Sequence, residues 1–207
     1  MLTATALLVT GCSSEPPRRD DSPIGWKACN ELFGSKNVDV LQEQMGGGQL
    51  RIENQSYPVR DLTAGLIALA RGWEPGSGAH LSAAFNPCQI AISKNGERLT
   101  SDVRWFQFSM SEIQSGDVSE EWRNVGGDVL ASEDSGRGIE FIFPCKISGT
   151  HKGQEEGLPL KVLLWGVGMP NFNTDLRGNM ASAMARKLSS ELGCVNKPAI
   201  PREITLA

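Results

Sequence analysis

Basic charge, histidine and tyrosine are scarce in this 207-residue chain. Lys and Arg together number 20 against 24 Asp and Glu, which leaves a net charge of −4, and there are two His and one Tyr. A broad phosphate-binding surface needs a basic excess, so nucleic acid is not expected as a partner. No apolar run approaches the roughly 20 residues that a membrane-spanning helix requires. Neither a GxSxG elbow, an HExxH or SxxK motif nor a Walker loop is present. Gly46-Gly47-Gly48 lacks the Lys-Ser/Thr that would make it a phosphate cradle. No CxxC or CxxH pair supplies closely spaced metal ligands, so neither zinc nor any cofactor is expected. With 40% hydrophobic and 21% charged residues, the chain has the balance of a folded domain.

The N-terminus carries the most specific signal. Met1 to Cys12 reads MLTATALLVTGC, with no charge and a short apolar stretch ending in Val9-Thr10-Gly11-Cys12. An aliphatic residue, two small ones and then Cys resemble the end of a bacterial lipoprotein signal peptide. In that family the chain is cut before the Cys, and a diacylglycerol is attached to its sulfur. Small residues let the backbone enter a peptidase, and the thiol is the good nucleophile available for the lipid. A signal peptide also opens with positive charge, and none is seen here, so the true start is expected further upstream. Residues 1–11 are read as this signal peptide and 12–23 as the lipidated Cys with its tether. Ser13 to Pro23 is polar and Pro-rich with nothing to bury. Residues 24–207 are read as one domain.

There are five cysteines: Cys12, Cys29, Cys88, Cys145 and Cys194. If Cys12 carries lipid, an even number remains, which outside the cytoplasm implies two disulfides. Three pairings are possible, and the sequence does not choose among them. The favoured one is Cys29–Cys88 with Cys145–Cys194, because each bond would then close a loop within one half of the chain.

Periodicity predicts a helix at Trp26–Phe33 stopped by Gly34, a strand at Leu50–Gln55, and a helix opened by Pro58 and running to about Arg71. Cys88–Ser93 is a predicted strand. The turn Lys94-Asn95-Gly96-Glu97 follows, with Val103–Met110 as its partner strand, because Asn-Gly between strand-like runs signals a hairpin. A short helix is expected around Glu120–Asn124 and a short strand at Val129–Ser132. Ile139–Ile147 alternates Ile139, Phe141, Phe143 and Cys145, with Pro144 marking an edge strand or a bulge. Leu158–Val167 is the most apolar strand and is expected at the centre of the sheet. A final helix, capped by Asn173 or Thr174, carries Leu176, Met180, Met184, Leu188 and Leu192 to a stop at Gly193. The fold class expected is α+β: an antiparallel sheet packed against helices on one side, stabilised by two disulfides.

Taken together, the lipobox-like Val9–Cys12, the Pro-rich tether, Trp26-x-x-Cys29, an aromatic strand ending in Cys145 and an Ala-rich helix closing in Leu192-Gly193-Cys194 resemble the small cell-envelope lipoproteins of actinobacteria. The resemblance implies a lipid-anchored domain on the outer face of the cell membrane. It supplies no catalytic residue.

Chemistry beyond that is thin. Trp73 and Trp122 lie in polar surroundings and, with His80 after a Gly-rich loop, are the candidates for a ligand surface; packing is the competing role for the two Trp. His80 or His151 with an acidic pair (Glu120-Glu121, Glu133-Asp134 or Glu155-Glu156) would be needed for the rival reading, a hydrolase acting on cell-wall material. No catalytic residue is assigned. The leading expectation is a non-enzymatic lipoprotein, held to membrane lipid through Cys12, that binds an envelope protein or a small ligand. A structural accessory subunit of an envelope complex is the third alternative.

Overall fold

Helices at Pro23–Phe33 (α1) and Ser35–Gln44 (α2) open the fold, with Gly34 at φ 82° breaking the chain between them. The structure is a computed structural model and describes residues 23–44, 49–53, 58–76, 83–92, 96–118, 121–134, 138–169 and 172–204. The lipobox with Cys12, the tether as far as Ser22, Gly46–Gly48, His80, Lys94-Asn95 and Glu120 lie outside the described residues. Strand β1 (Leu50–Ile52), helix α3 (Val59–Arg71), strands β2 (Gln89–Ile92) and β3 (Arg98–Trp105) and the short helix α4 (Met110–Ser115) follow. Then come β4 (Arg123–Asn124), β5 (Leu130–Asp134), β6 (Gly138–Phe143), α5 (Gln154–Gly157), β7 (Leu160–Val167) and α6 (Thr174–Glu191).

The strands form one sheet in the order β1-β2-β3-β7-β6-β5-β4, with every pairing antiparallel. Two groups of sequential strands are therefore joined edge to edge along β3 and β7, whose register runs from Arg98↔Val167 to Trp105↔Leu160. The expected central position of β7 holds.

Alternation along each strand sends Leu99, Val103, Phe141, Val162 and Leu164 to one face. There they join α1, α2, α3 and α6 in the main core, with Leu32, Phe33, Leu66, Met180, Met184 and Leu188 fully buried. Helix α6 lies on β6 and β7, while α1 and α2 pack on α6 and α3 lies on β3. Trp105 anchors α3 to the sheet, its indole N–H donating to the Leu66 carbonyl at 2.8 Å. Disulfides join Cys29 to Cys88 and Cys145 to Cys194, with Cα atoms 5.3 and 5.0 Å apart. The antiparallel sheet, the helical layer and this pairing are the fold expected from sequence.

Several local expectations are corrected. The partner of β2 begins at Arg98, directly after the turn, and ends at Trp105 rather than Met110. The helix expected around Glu120–Asn124 is replaced by α4, ten residues earlier, and Arg123–Asn124 is strand β4. Strand β6 is not an edge: it lies between β5 and β7. It ends at Phe143, so Pro144 lies just outside the ladder and removes no sheet hydrogen bond. Helix α4 also sits on the face of the sheet opposite α1, α2, α3 and α6. Its Met110 and Ile113 close a small second cluster with Phe106, Val118, Leu130 and Ile142.

The C-terminal segment returns to the turn between β4 and β5. The Asp128 amide donates to the Ala199 carbonyl at 3.0 Å, and the Ala199 amide to the Asp128 carboxylate at 2.7 Å. Gly127, at φ 57°, permits this approach: a Cβ there would lie 1.9 Å from the Ala199 carbonyl oxygen.

Candidate functional site

The outer face of the sheet carries a charged ladder beside an aromatic corner. Register brings Arg104, Lys161, Ile142 and Leu130 into one row and Asp102, Leu163, Glu140 and Ser132 into the next. The Arg104 guanidinium grips the nearly buried Asp102 carboxylate with two bonds, Nε to Oδ1 at 2.7 Å and Nη2 to Oδ2 at 2.8 Å. That hydrogen-bonded carboxylate, reinforced by Glu140, raises the Arg104 pKa above its ordinary value against the opposing effect of burial. Lys161, 8% exposed, reaches diagonally to Glu140, with Nζ 2.5 Å from Oε2. Its ammonium also lies 4.6 Å from the centre of the Phe106 ring and 5.7 Å from that of Trp122. Two acids and two bases are thus matched pairwise. Each carboxylate is engaged by a cation, and neither is left as an uncommitted base.

Trp122 links this ladder to a groove of about 640 Å³ at the sheet corner. Ile113, Val118 and Trp122 give the groove its apolar lining, and Glu121, Arg123 and Glu133 its charged part. Arg123 pairs with Glu133 across β4 and β5 at 3.1 Å. Helix α4 forms one wall and is fixed by its ends. Ser109 caps it, its hydroxyl accepting the Glu112 amide at 3.2 Å while the Glu112 carboxylate accepts the Ser109 amide at 2.7 Å. The Ser109 hydroxyl lies 2.6 Å from the same carboxylate, and its hydrogen bond, with that of the Ser109 amide, holds the Glu112 carboxyl below the usual carboxylate range. Gly116, in the left-handed region at φ 82°, ends the helix. Trp122 is half-buried, ring to ring with Phe106 at 5.9 Å, and its indole nitrogen is buried without a hydrogen-bond partner.

The other sequence candidates are dispersed. Trp73 is 9% exposed, part of the main core, and packs on α5: a Cβ on Gly157 would lie 2.7 Å from its ring. Packing is therefore the role its surroundings describe. His151 is exposed on the turn before α5, and its backbone carbonyl accepts the Lys146 ammonium and the Gln154 amide. Of the acidic pairs, Glu133 is held by Arg123 and Glu155 by Lys146 at 3.0 Å. Burial pushes the Glu155 carboxyl up, but hydrogen bonds from its own backbone and from Lys146 bring it below the ordinary value. Among the described residues no three His, Cys, Asp or Glu side chains gather as metal ligands would. No described helix is long and apolar enough to cross a membrane.

Sequence reasoning singled out Trp122 and, as members of acidic pairs, Glu121 and Glu133 of the groove, but not Phe106 or the charged ladder. Lys161 and Glu140 meet only through the register of β6 on β7, and Asp102-x-Arg104 reads as an ordinary solvated strand face. The Ser109-x-x-Glu112 capping box was the available local signal for α4. A scan of protein-family models finds no match to this chain, and searches of curated proteins and of solved structures find none either.

Proposed function

We propose that this is an extracytoplasmic protein, lipid-anchored like the actinobacterial envelope lipoproteins it resembles, that has no enzymatic activity and binds a small ligand or envelope partner at the Trp122 corner. One observation carries the anchor: four of the five cysteines are consumed in two disulfides, leaving Cys12, the residue after Val9-Thr10-Gly11, as the odd one. Two disulfides suit an oxidising compartment. A diacylglycerol supplies two acyl chains, which is what stable attachment to a bilayer takes. The groove supports the binding role by setting a half-buried indole beside the charged side chains of Glu121, Arg123 and Glu133. The engaged carboxylates of the ladder and of Glu133 and Glu155 speak against the cell-wall hydrolase.

Mass analysis of the protein from its native membranes, without reduction, tests the anchor. A diacylglyceryl group on an N-terminal Cys12, together with the loss of four hydrogens for two disulfides, is the expected result. An unprocessed N-terminus with an unmodified Cys12 would overturn it. For the binding role, Trp122→Ala is expected to abolish capture of a cross-linked envelope partner or ligand while the domain stays folded. Capture unchanged in that variant would remove the Trp122 corner from the proposal.

A further inference from the structure

Three described residues with formal charge are at least nine-tenths buried: Asp102, Lys161 and Arg177. Asp102 and Lys161 have partners of opposite charge, at 2.7 and 2.5 Å. Arg177 has none. Its side chain is 6% exposed, its Nε is buried without a hydrogen-bond partner, and its Nη2 donates only to the Thr174 hydroxyl at 3.0 Å. The guanidinium lies 5.7 Å from the centre of the Phe172 ring, whose π-face offers weak compensation.

The location sharpens the anomaly. Thr174 is the first residue of α6, an 18-residue helix. A long helix concentrates about half a positive charge at this end, and its first amides have no acceptor within the helix. The Asn173 side chain satisfies one of them, the Leu176 amide, at 2.9 Å. The amides of Thr174 and Asp175 remain as first-turn donors. Asp175 is the acidic side chain of this first turn, but it is exposed and forms no ion pair with Arg177 among the described residues. A buried guanidinium and a helix N-terminus thus lie side by side with the same sign. An uncompensated buried charge is strongly unfavourable, and an anion in that position would remove the conflict.

We propose that the N-terminus of α6 is an oxyanion site, in which one phosphate or carboxylate group is held by Arg177, the Thr174 hydroxyl and the first-turn amides. The planar fork of arginine matches either group with two parallel hydrogen bonds. The site lies on α6, apart from the Trp122 corner, and does not depend on the anchor.

The test uses the full chain with inorganic phosphate and acetate as probes, each against chloride at equal ionic strength. Phosphate is expected to raise the unfolding midpoint, by about 5–10 °C at a hundredfold excess over its Kd and then with the logarithm of its concentration. Acetate, as the carboxylate probe, separates the two ligand classes: the larger shift names the class. Arg177→Met is expected to lose the response while matching or exceeding the wild-type midpoint in chloride, because it removes an unpaired buried charge. General salt stabilisation would act equally on both proteins, so an equal rise in wild type and Arg177→Met overturns the proposal. Calorimetric titration of both ions into the unmodified protein reads binding without any variant. The absence of saturable heat with either one overturns it as well.

Discussion

In the first half of the molecule a disulfide ties a helix to a strand, Cys29 in α1 to Cys88 just before β2, and Trp26, Leu32 and Phe33 pack α1 into the main core. In the second half, Cys145–Cys194 joins two segments that hydrogen bonds already clasp. The Asn196 side chain accepts the Lys146 amide at 2.9 Å and donates to the Pro144 carbonyl at 3.0 Å, and the Val195 amide donates to the Lys146 carbonyl at 2.9 Å. Beside them, the fully buried Gln154 accepts the Ile147 amide at 3.0 Å and donates to the carbonyls of Cys145 and Leu158 at 3.1 and 3.2 Å. The loops closed, 59 and 49 residues, differ too little for chain entropy to separate the two bonds, each worth roughly 4 kcal/mol on that model. Any difference between them reports their surroundings: hydrogen bonds join the two segments that Cys145–Cys194 links, whereas at Cys29–Cys88 hydrogen bonds hold Cys88 to Ser101 of β3 and apolar packing holds α1.

The largest effect is expected from opening the packed half. Cys29→Ala/Cys88→Ala should cost about 4 kcal/mol in chemical denaturation and speed amide exchange in α1. Gln154→Ala, which strands two buried carbonyls and an amide in the clasped half, should cost about 3 kcal/mol by the same measurement. Cys145→Ala/Cys194→Ala should cost less, about 2 kcal/mol, because the Asn196 clasp persists. Adding Asn196→Ala should then cost more than it does in the intact protein. Equal losses from the two disulfides, with simple additivity at Asn196, would erase the distinction. The smallest effect belongs to α4, between the halves. The folded state holds the Glu112 carboxyl below its ordinary value of 4.5, so its contribution is full above that pH and is lost as pH falls through the folded value. The stability gap between wild type and Glu112→Gln should therefore shrink in acid unfolding series below pH 4.5.

The sequence was legible where one signal acted alone. Helix α6 showed itself through apolar residues at every fourth position and an Asn173 cap, β7 through an unbroken apolar run, and the β2–β3 hairpin through Asn95-Gly96. It was misread where signals competed. In α2 only Val38 and Leu41 are buried apolar positions, and the exposed Val40 blurs the stripe, so no helix was expected there. Pro144 suggested an edge because proline removes a ladder bond, but a strand that ends one residue earlier avoids the conflict. Of the candidate site, Trp122 was visible as an aromatic in polar company. Its partners Phe106 and Lys161 are distant in sequence, and Lys161 meets its own partner Glu140 only through register. Arg177 was hidden between Leu176 and Met180, in a stripe read for its apolar members.

The seam between β3 and β7 also dictates an order of events during synthesis. Strand β3 can pair with β2 as soon as both exist, but its other edge must wait until β4, β5 and β6 have been made and β7 arrives. Through that interval the nascent chain presents an unsatisfied row of amides and carbonyls along Arg98–Trp105. Such an edge is prone to recruit a neighbouring chain. A seam of this sequence separation makes the search for the native pairing slow, so the chain's exposure to association is governed by how quickly its second half follows its first.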